Sequence, residues 1–299
     1  MKLATLRSQR GHAPALVASD GVVALADVAR AAGSTLPVAD EMSELLAGYG
    51  AQSGELKRLA ALLPELLVQG SVEPSSADLG PPVPRPGKII GVGLNYADHA
   101  RETGQAAPSI PVVFAKFGTT IVGPGDPIVR PAEVQDLDYE AELAVVIGRR
   151  TRSVTKAAAL DHVLGYMNAN DVSARTAQLA TGQWVLGKSF DTFCPVGPYL
   201  VTPDECTDVQ DLAIRCWVDG EIRQESSTAE MIFGVADLVA YLSTSMTLEP
   251  GDIILTGTPP GVAMARNPPP WLQPGQRCDI EIGPLGRLSN AVEDGGTQT

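Results

Sequence analysis

The chain is poor in the residues that build soft metal sites and covalent cross-links: of 299 residues, 3 are histidine and 4 are cysteine. The histidines (His12, His99, His162) are scattered, with no H-E-x-x-H and no Cys/His cluster, which argues against zinc. Cys194, Cys206, Cys216 and Cys278 lack C-x-x-C spacing and are too sparse for a disulfide framework. They read as free thiols in a reducing cytoplasm. No 18-residue apolar span occurs, and Met1 to Arg10 lacks an apolar h-region, which excludes a membrane-spanning helix and a secretory signal of that kind. Basic residues are the minority, 22 against 35 acidic, and the net charge of -13 argues against nucleic acid and anionic membrane as partners. An anionic substrate would need positive charge concentrated locally, by a metal or by a few lysines and arginines.

What the chain has is core. Hydrophobic residues make up 44%, enough for one large domain or a large and a small one. Residues 1–75 read as a small α/β unit. Strand-like pieces (Lys2 to Leu6, Pro14 to Val17, Val22 to Leu25) precede helical stretches at Glu41 to Leu46 and Glu55 to Val68, the latter with Leu56, Leu59, Ala60, Leu63 and Leu67 along one face. The Pro-rich stretch between Glu73 and Lys88 reads as a linker, centred on 76–87. From residue 88 to 299, short strands with Gly/Pro turns dominate, interrupted by helical pieces near 155–165, 171–181 and 230–245. This pattern predicts an α+β, mainly β domain and not a doubly wound sheet. The tail, Glu293 to Thr299, reads as frayed.

The informative stretch is Asp138-Tyr139-Glu140-Ala141-Glu142-Leu143-Ala144-Val145-Val146-Ile147. Its second half is an apolar, β-branched run expected to form a buried strand. Side chains two apart share a face, so Glu140 and Glu142 project together about 7 Å apart along the strand. Two buried carboxylates repel and lose hydration, so a positive group should lie between them, and Mg²⁺ or Mn²⁺ suits oxygen ligands. The plainer alternative leaves both glutamates solvated. Asp171 would complete a three-carboxylate site, although an Asp before Val172-Ser173-Ala174-Arg175 also suits a helix N-cap.

Further candidates lie on either side. His99 and Glu102 are three apart, so on a helical turn the carboxylate can orient the imidazole and raise its basicity. The stretch Thr103 to Pro108 after them is small and flexible enough for a lid. Gly182-Gln183-Trp184-Val185-Leu186-Gly187-Lys188-Ser189 matches G-x-x-x-x-G-K-[ST], yet it follows a polar helical stretch and precedes a segment that cannot be a helix, so it is no phosphate loop. Lys188 remains a lone cation beside a carboxylate site. The segment Pro250 to Val262 reads as turn, buried strand and rigid loop, in which Thr258 and nearby amides could bind a carboxylate or enolate.

Taken in order, five motifs resemble the fumarylacetoacetate hydrolase family: Gly93-Leu94-Asn95-Tyr96-xx-His99-xx-Glu102, Asp138-Tyr139-Glu140-x-Glu142-Leu143, Asn170-Asp171-x-Ser173-x-Arg175-xx-Gln178, Gly187-Lys188-Ser189-x-Asp191 and Thr256-Gly257-Thr258-Pro259-x-Gly261-Val262. The Pro-rich segment Asn267 to Gly275 looks most like bacterial members acting on 2,4-dioxo, acylpyruvate-type sugar acids. The resemblance implies a β-sandwich roll, a homodimer, and Mg²⁺ or Mn²⁺ held by Glu140, Glu142 and Asp171. It also implies a water-activating pair in His99 and Glu102, an active-site lysine in Lys188, and a substrate pocket lined by Arg175, Gln178 and Thr258. The activity implied is metal-dependent hydrolysis of a C–C bond in a 2,4-dioxo acid, with oxaloacetate decarboxylation or keto–enol isomerisation as the alternative. Thr176 stands where the family often has Asp, and Phe117 where it often has Pro; both bear on substrate identity.

Overall fold

The computed structural model describes residues 1–8, 11–75, 78–103, 106–206 and 208–296. Its organising element is the strand Ala141–Ile147, buried at every position. It pairs antiparallel with Val163–Asn170 on one side (Ala141↔Asn170, Val145↔Tyr166) and with Ile253–Leu255 on the other. Beyond Ile253–Leu255 the sheet continues through Ile89–Gly93, in parallel, to the edge strand Val112–Lys116. In the other direction it runs through Cys194–Val201 to Lys2–Ser8, Gly11–Ala18 and Gly21–Ala24. A second sheet orders Glu221–Ser227, Ala213–Val218, Arg277–Ile282, Arg287–Asp294 and Ile128–Arg130.

The central strand shows why its sequence is a continuous apolar run and not an alternating one. Leu143, Val145 and Ile147 enter a core shared with Ile214, Ile280, Leu288 and Val292 of the second sheet. Ala144 and Val146, on the opposite face, join Leu25, Leu45, Leu56 and Leu59 of the N-terminal segment. A strand covered on both faces needs apolar side chains at every position. The fold is α+β, mainly β, with the large sheet covered by an apolar core on each face, and the α+β, mainly β class is the one the strand pattern predicts.

Several local expectations are corrected. The segment 155–165 is helical only at Lys156–Ala159, with a 3₁₀ turn at Leu160–His162, because Val163–Asn170 is a fully buried strand. A run apolar on both faces carries no periodicity to separate strand from helix. The helix of 171–181 is confined to Arg175–Leu179, and its N-cap is Ala174, not Asp171. The third helix spans Val235–Ser245. The two helical stretches of the N-terminal region are one helix, Met42–Val68, which runs through Gly48, Gly50, Gly54 and Pro64 because Leu45, Leu46, Leu56, Leu59 and Leu63 anchor it. Leu66, not Leu67, completes the buried face.

The N-terminal strands share the large sheet, with Lys2↔Val201 and Leu3↔Leu200 in register. Within the Pro-rich stretch, Leu79–Gly80 pairs with Thr5 and Leu6, and Pro81, Pro82 and Val83 are buried. Of the tail, Glu293 and Asp294 continue the last strand beside Val129 and Arg130, while residues 297–299 lie outside the described residues. The expected lid at 103–108 includes Gly104 and Gln105, which also lie outside them.

Candidate active site

The strand Ile89–Gly93 ends in a left-handed residue, Leu94 (φ 56°), an uncommon conformation for a branched side chain. Asn95 then locks the exit: its amide donates to the carbonyls of Phe233 and Thr256 and accepts from the Phe233 amide. That sharp exit launches the short helix Ala97–Thr103. There His99 Nδ1 lies 3.1 Å from Glu102 Oε2. A carboxylate accepts, so the Nδ1 proton points to it and Nε2 is the basic nitrogen. Glu102 is itself held by the Gly261 amide, which lies 3.2 and 3.3 Å from its two oxygens.

Glu140 and Glu142 emerge at the start of the central strand, and Asp171 follows its antiparallel partner. The three are buried, and a ligand oxygen from each lies within 4.8 Å of the others. The carboxylate convergence expected from the sequence is therefore present. Positive groups lie among them. Lys188 Nζ is 2.8 Å from Glu140 Oε2 and 2.7 Å from Asp171 Oδ2. Arg175 Nη2 is 2.7 Å from Glu140 Oε1 and 2.8 Å from Asp138 Oδ2.

The three carboxylates are not electrostatically alike. Burial alone would raise Glu140, but Lys188 and Arg175 overcome it and hold the carboxyl down to about 2. Glu142 is pushed well up, first by burial and then by Asp171 and Glu140. Its Oε2 accepts from the Gly257 amide at 2.7 Å, and no ion pair reaches it among the described residues. Gly257 takes φ 101° to present that amide, and a side chain there would press on Asn95. Burial works against the Lys188 ammonium, but Asp171 and Glu140 more than offset it, leaving its pKa raised and the group charged. Four carboxylates, Asp138 included, thus face three cations: Arg175, Lys188 and Lys116. An all-oxygen, buried, charge-deficient triad fits a hard divalent cation. Glu140, Glu142 and Asp171 are the residues that would hold it.

Glu140, Glu142, Arg175 and Lys188 line a cavity of about 130 Å³ together with His99, Gln178 and Thr258. The structure thus brings His99, Lys188, Arg175, Gln178, Thr258 and two of the carboxylates to one place. A roomier hollow of about 560 Å³ runs along Val129, Glu133, Ser189 and Asp191, but among the described residues the carboxylate triad lies elsewhere. The G-x-x-x-x-G-K-S stretch forms a single turn, Val185–Lys188, that delivers Lys188 to the carboxylates. Leu186 in it is exposed.

The pocket residues differ in what they have left to offer. Every guanidinium nitrogen of Arg175 is engaged by Asp138, Glu140 or Gln178, so the side chain acts on the site's own groups. Gln178 accepts from Arg175 through Oε1, which leaves its amide nitrogen as the group for a ligand. The Thr258 hydroxyl donates to the Ala141 carbonyl at 3.0 Å, so toward the cavity it can only accept.

Two site residues were not singled out from the sequence. Lys116, buried at the end of an edge strand, is 2.6 Å from Asp171 Oδ1; a lysine closing the run V-V-F-A-K is the one available signal. Asp138 accepts from Arg175 and from the amides of Ala263 and Met264, tying the central strand to the loop after Thr258. Phe114 and Trp184, with ring centroids 5.6 Å apart, form the apolar wall and lie where side chains at Gly91 and Gly93 would be.

With the geometry in place, the relatives give it a family. The family model described as fumarylacetoacetate (FAA) hydrolase C-terminal matches residues 88–293. The chain belongs to the fumarylacetoacetate hydrolase family of enzymes. It is 49% identical over 220 residues to the mitochondrial oxaloacetate tautomerase of Xenopus laevis, covering 73% of this chain and 69% of that one. Among solved structures it resembles fumarylacetoacetate hydrolase from Exiguobacterium antarcticum, with TM-score 0.81, 34% identity and coverage of 98% and 99%. It also resembles maleylpyruvate hydrolase from Sphingobium sp. SYK-6 in complex with manganese(II) and pyruvate, with TM-score 0.78, 31% identity and coverage of 99% and 100%.

Proposed function

We propose that the protein tautomerises a small 2-oxo dicarboxylic acid of the oxaloacetate type between its keto and enol forms, with Mg²⁺ or Mn²⁺ held by Glu140, Glu142 and Asp171. The observation that carries this reading is a buried carboxylate triad with a buried ammonium beside it, two of its carboxylates lining the same small cavity as a carboxylate-oriented imidazole. When bound, the cation would supply Lewis acidity that spreads the negative charge of an enolate. Lys188 adds N–H donors beside two of the carboxylates, where an enolate oxygen would need them. His99, its Nδ1 proton fixed on Glu102, moves the proton on and off the carbon beside the carbonyl through Nε2. Gln178 offers its amide to a substrate oxygen. The 49% identity to an oxaloacetate tautomerase supports this reading.

A second reading, hydrolytic C–C cleavage of an acylpyruvate, is favoured by the His99–Glu102 pair itself. The same Nε2 could take a proton from water as it attacks the distal carbonyl, releasing a carboxylic acid and the enolate of pyruvate. The solved relative with manganese and pyruvate bears a hydrolase name. In either case we extend the proposal to a homodimer, checked by the mass in solution.

One experiment separates the readings. Ketonisation of enol-oxaloacetate is followed by loss of enol absorbance, and pyruvate release is followed from acetylpyruvate and from oxaloacetate, each with Mn²⁺ and with EDTA. Cation-dependent ketonisation without pyruvate release supports the tautomerase. Cleavage of acetylpyruvate alone supports the hydrolase, and pyruvate from oxaloacetate alone would mean a decarboxylase.

A further inference from the structure

Gln224 belongs to none of the five motifs and lies in the second sheet, on the strand Glu221–Ser227. It is 1% exposed, yet its amide has a partner at each end. Nε2 donates to Thr258 Oγ1 and to the Pro259 carbonyl, both at 2.8 Å, and Oε1 accepts from the Ala141 amide at 2.9 Å. Flipping the amide would set donor against donor at Ala141, so the network fixes its orientation. Ala141 is the residue between Glu140 and Glu142. Its N–H is taken by Gln224, and its carbonyl is taken by the Thr258 hydroxyl that Gln224 orients. The two peptide groups that flank Ala141, one next to each glutamate, are thus clamped with the help of a sheet that supplies no carboxylate to the triad.

We infer that Gln224 is a positioning residue: it holds the Ala141 N–H and orients the Thr258 hydroxyl on the Ala141 carbonyl, and thereby sets the affinity of the triad for its divalent cation. The inference rests on the proposed cation site but not on which substrate is turned over. Side chains that hold metal ligands in place typically change metal affinity 10–100-fold when removed.

The test is titration of the metal-free full-length protein with Mn²⁺, with free Mn²⁺ counted by EPR. Gln224→Met keeps the volume and removes all three bonds, and it should weaken binding about 10–100-fold. Thr258→Ala should weaken it in the same direction. The double variant should lose no more than Gln224→Met alone, because both act on the backbone of Ala141. Asn290→Ala, at an equally buried amide bonded to the Gly123 and Asp126 carbonyls, is the structural control and should keep parental affinity. Parental affinity in Gln224→Met, losses that multiply in the double variant, or an equal loss in Asn290→Ala would each overturn the role of Gln224. Thr258→Ala against the parent keeps the test alive if Gln224→Met does not fold. A parent that binds no Mn²⁺ would instead overturn the cation site.

Discussion

Lys116 Nζ lies 2.6 Å from Asp171 Oδ1, with both side chains fully buried and brought together from 55 residues apart in the chain. The pair faces away from solvent and beside the triad, so it fixes one oxygen of Asp171 while Lys188 takes the other.

Breaking that pair should be costly. Lys116→Met leaves a buried carboxylate with one partner fewer, and unfolding in urea should show a loss of about 3 kcal/mol. The pocket becomes more negative, so Mn²⁺ should raise the melting temperature of the variant by more than that of the parent. A variant as stable as the parent without metal would contradict the arrangement.

Glu142 behaves oppositely. It is a buried carboxylate flanked by like charges and pushed well above its ordinary range. Glu142→Gln keeps an acceptor for the Gly257 amide and removes the charge. In EDTA the variant should melt at or above the parent, and the stabilisation of the parent by Mn²⁺ should disappear. Scanning calorimetry with and without Mn²⁺ checks both halves.

His99→Ala should lower turnover about 10²–10⁴-fold while leaving Mn²⁺ affinity intact, since His99 is not one of the three carboxylates that would hold the cation. Glu102→Gln retains an acceptor for Nδ1 but not the charge, so its loss should be smaller. Unchanged turnover in His99→Ala would remove the imidazole from the chemistry.

The cysteines give a pH dependence. All four are buried. Burial, the largest influence on Cys194, pushes its thiol from 9.0 up to about 12. The neutral form is the folded one, so its stabilisation is complete below pH 9 and is lost as pH rises toward 12. The melting temperature should fall across that window, and less steeply in Cys194→Ala. An aromatic disulfide reagent at pH 8 should find no reactive thiol in the native protein and four in guanidinium.

How much of this was legible follows residue type and distance along the chain. The central strand was legible because β-branched and apolar residues crowd Leu143 to Ile147, and the pairing of Glu140 with Glu142 follows from the two-residue repeat of any strand. His99 and Glu102 were legible for the same local reason, the spacing of a helical turn. Where burial is two-sided, local pattern fails: Val163 to Gly165 gave no period, and a strand was taken for the end of a helix. Asp171 does lie with Glu140 and Glu142, but its N-cap alternative was excluded only when the helix was found to start at Arg175.

The sequence by itself determined which residues carry charge into a hydrophobic chain and, through short spacings, which of them share a face. Tertiary structure decided the rest: that Lys116 and Lys188 reach Asp171, that Arg175 is engaged by Asp138 and Glu140, and that Gln224 crosses from the second sheet to Ala141. The reason is physical. A local pattern reports the face a side chain takes. The partner that satisfies a buried charge or amide is chosen by whichever distant strand packs against it, and nothing within a few residues encodes that choice.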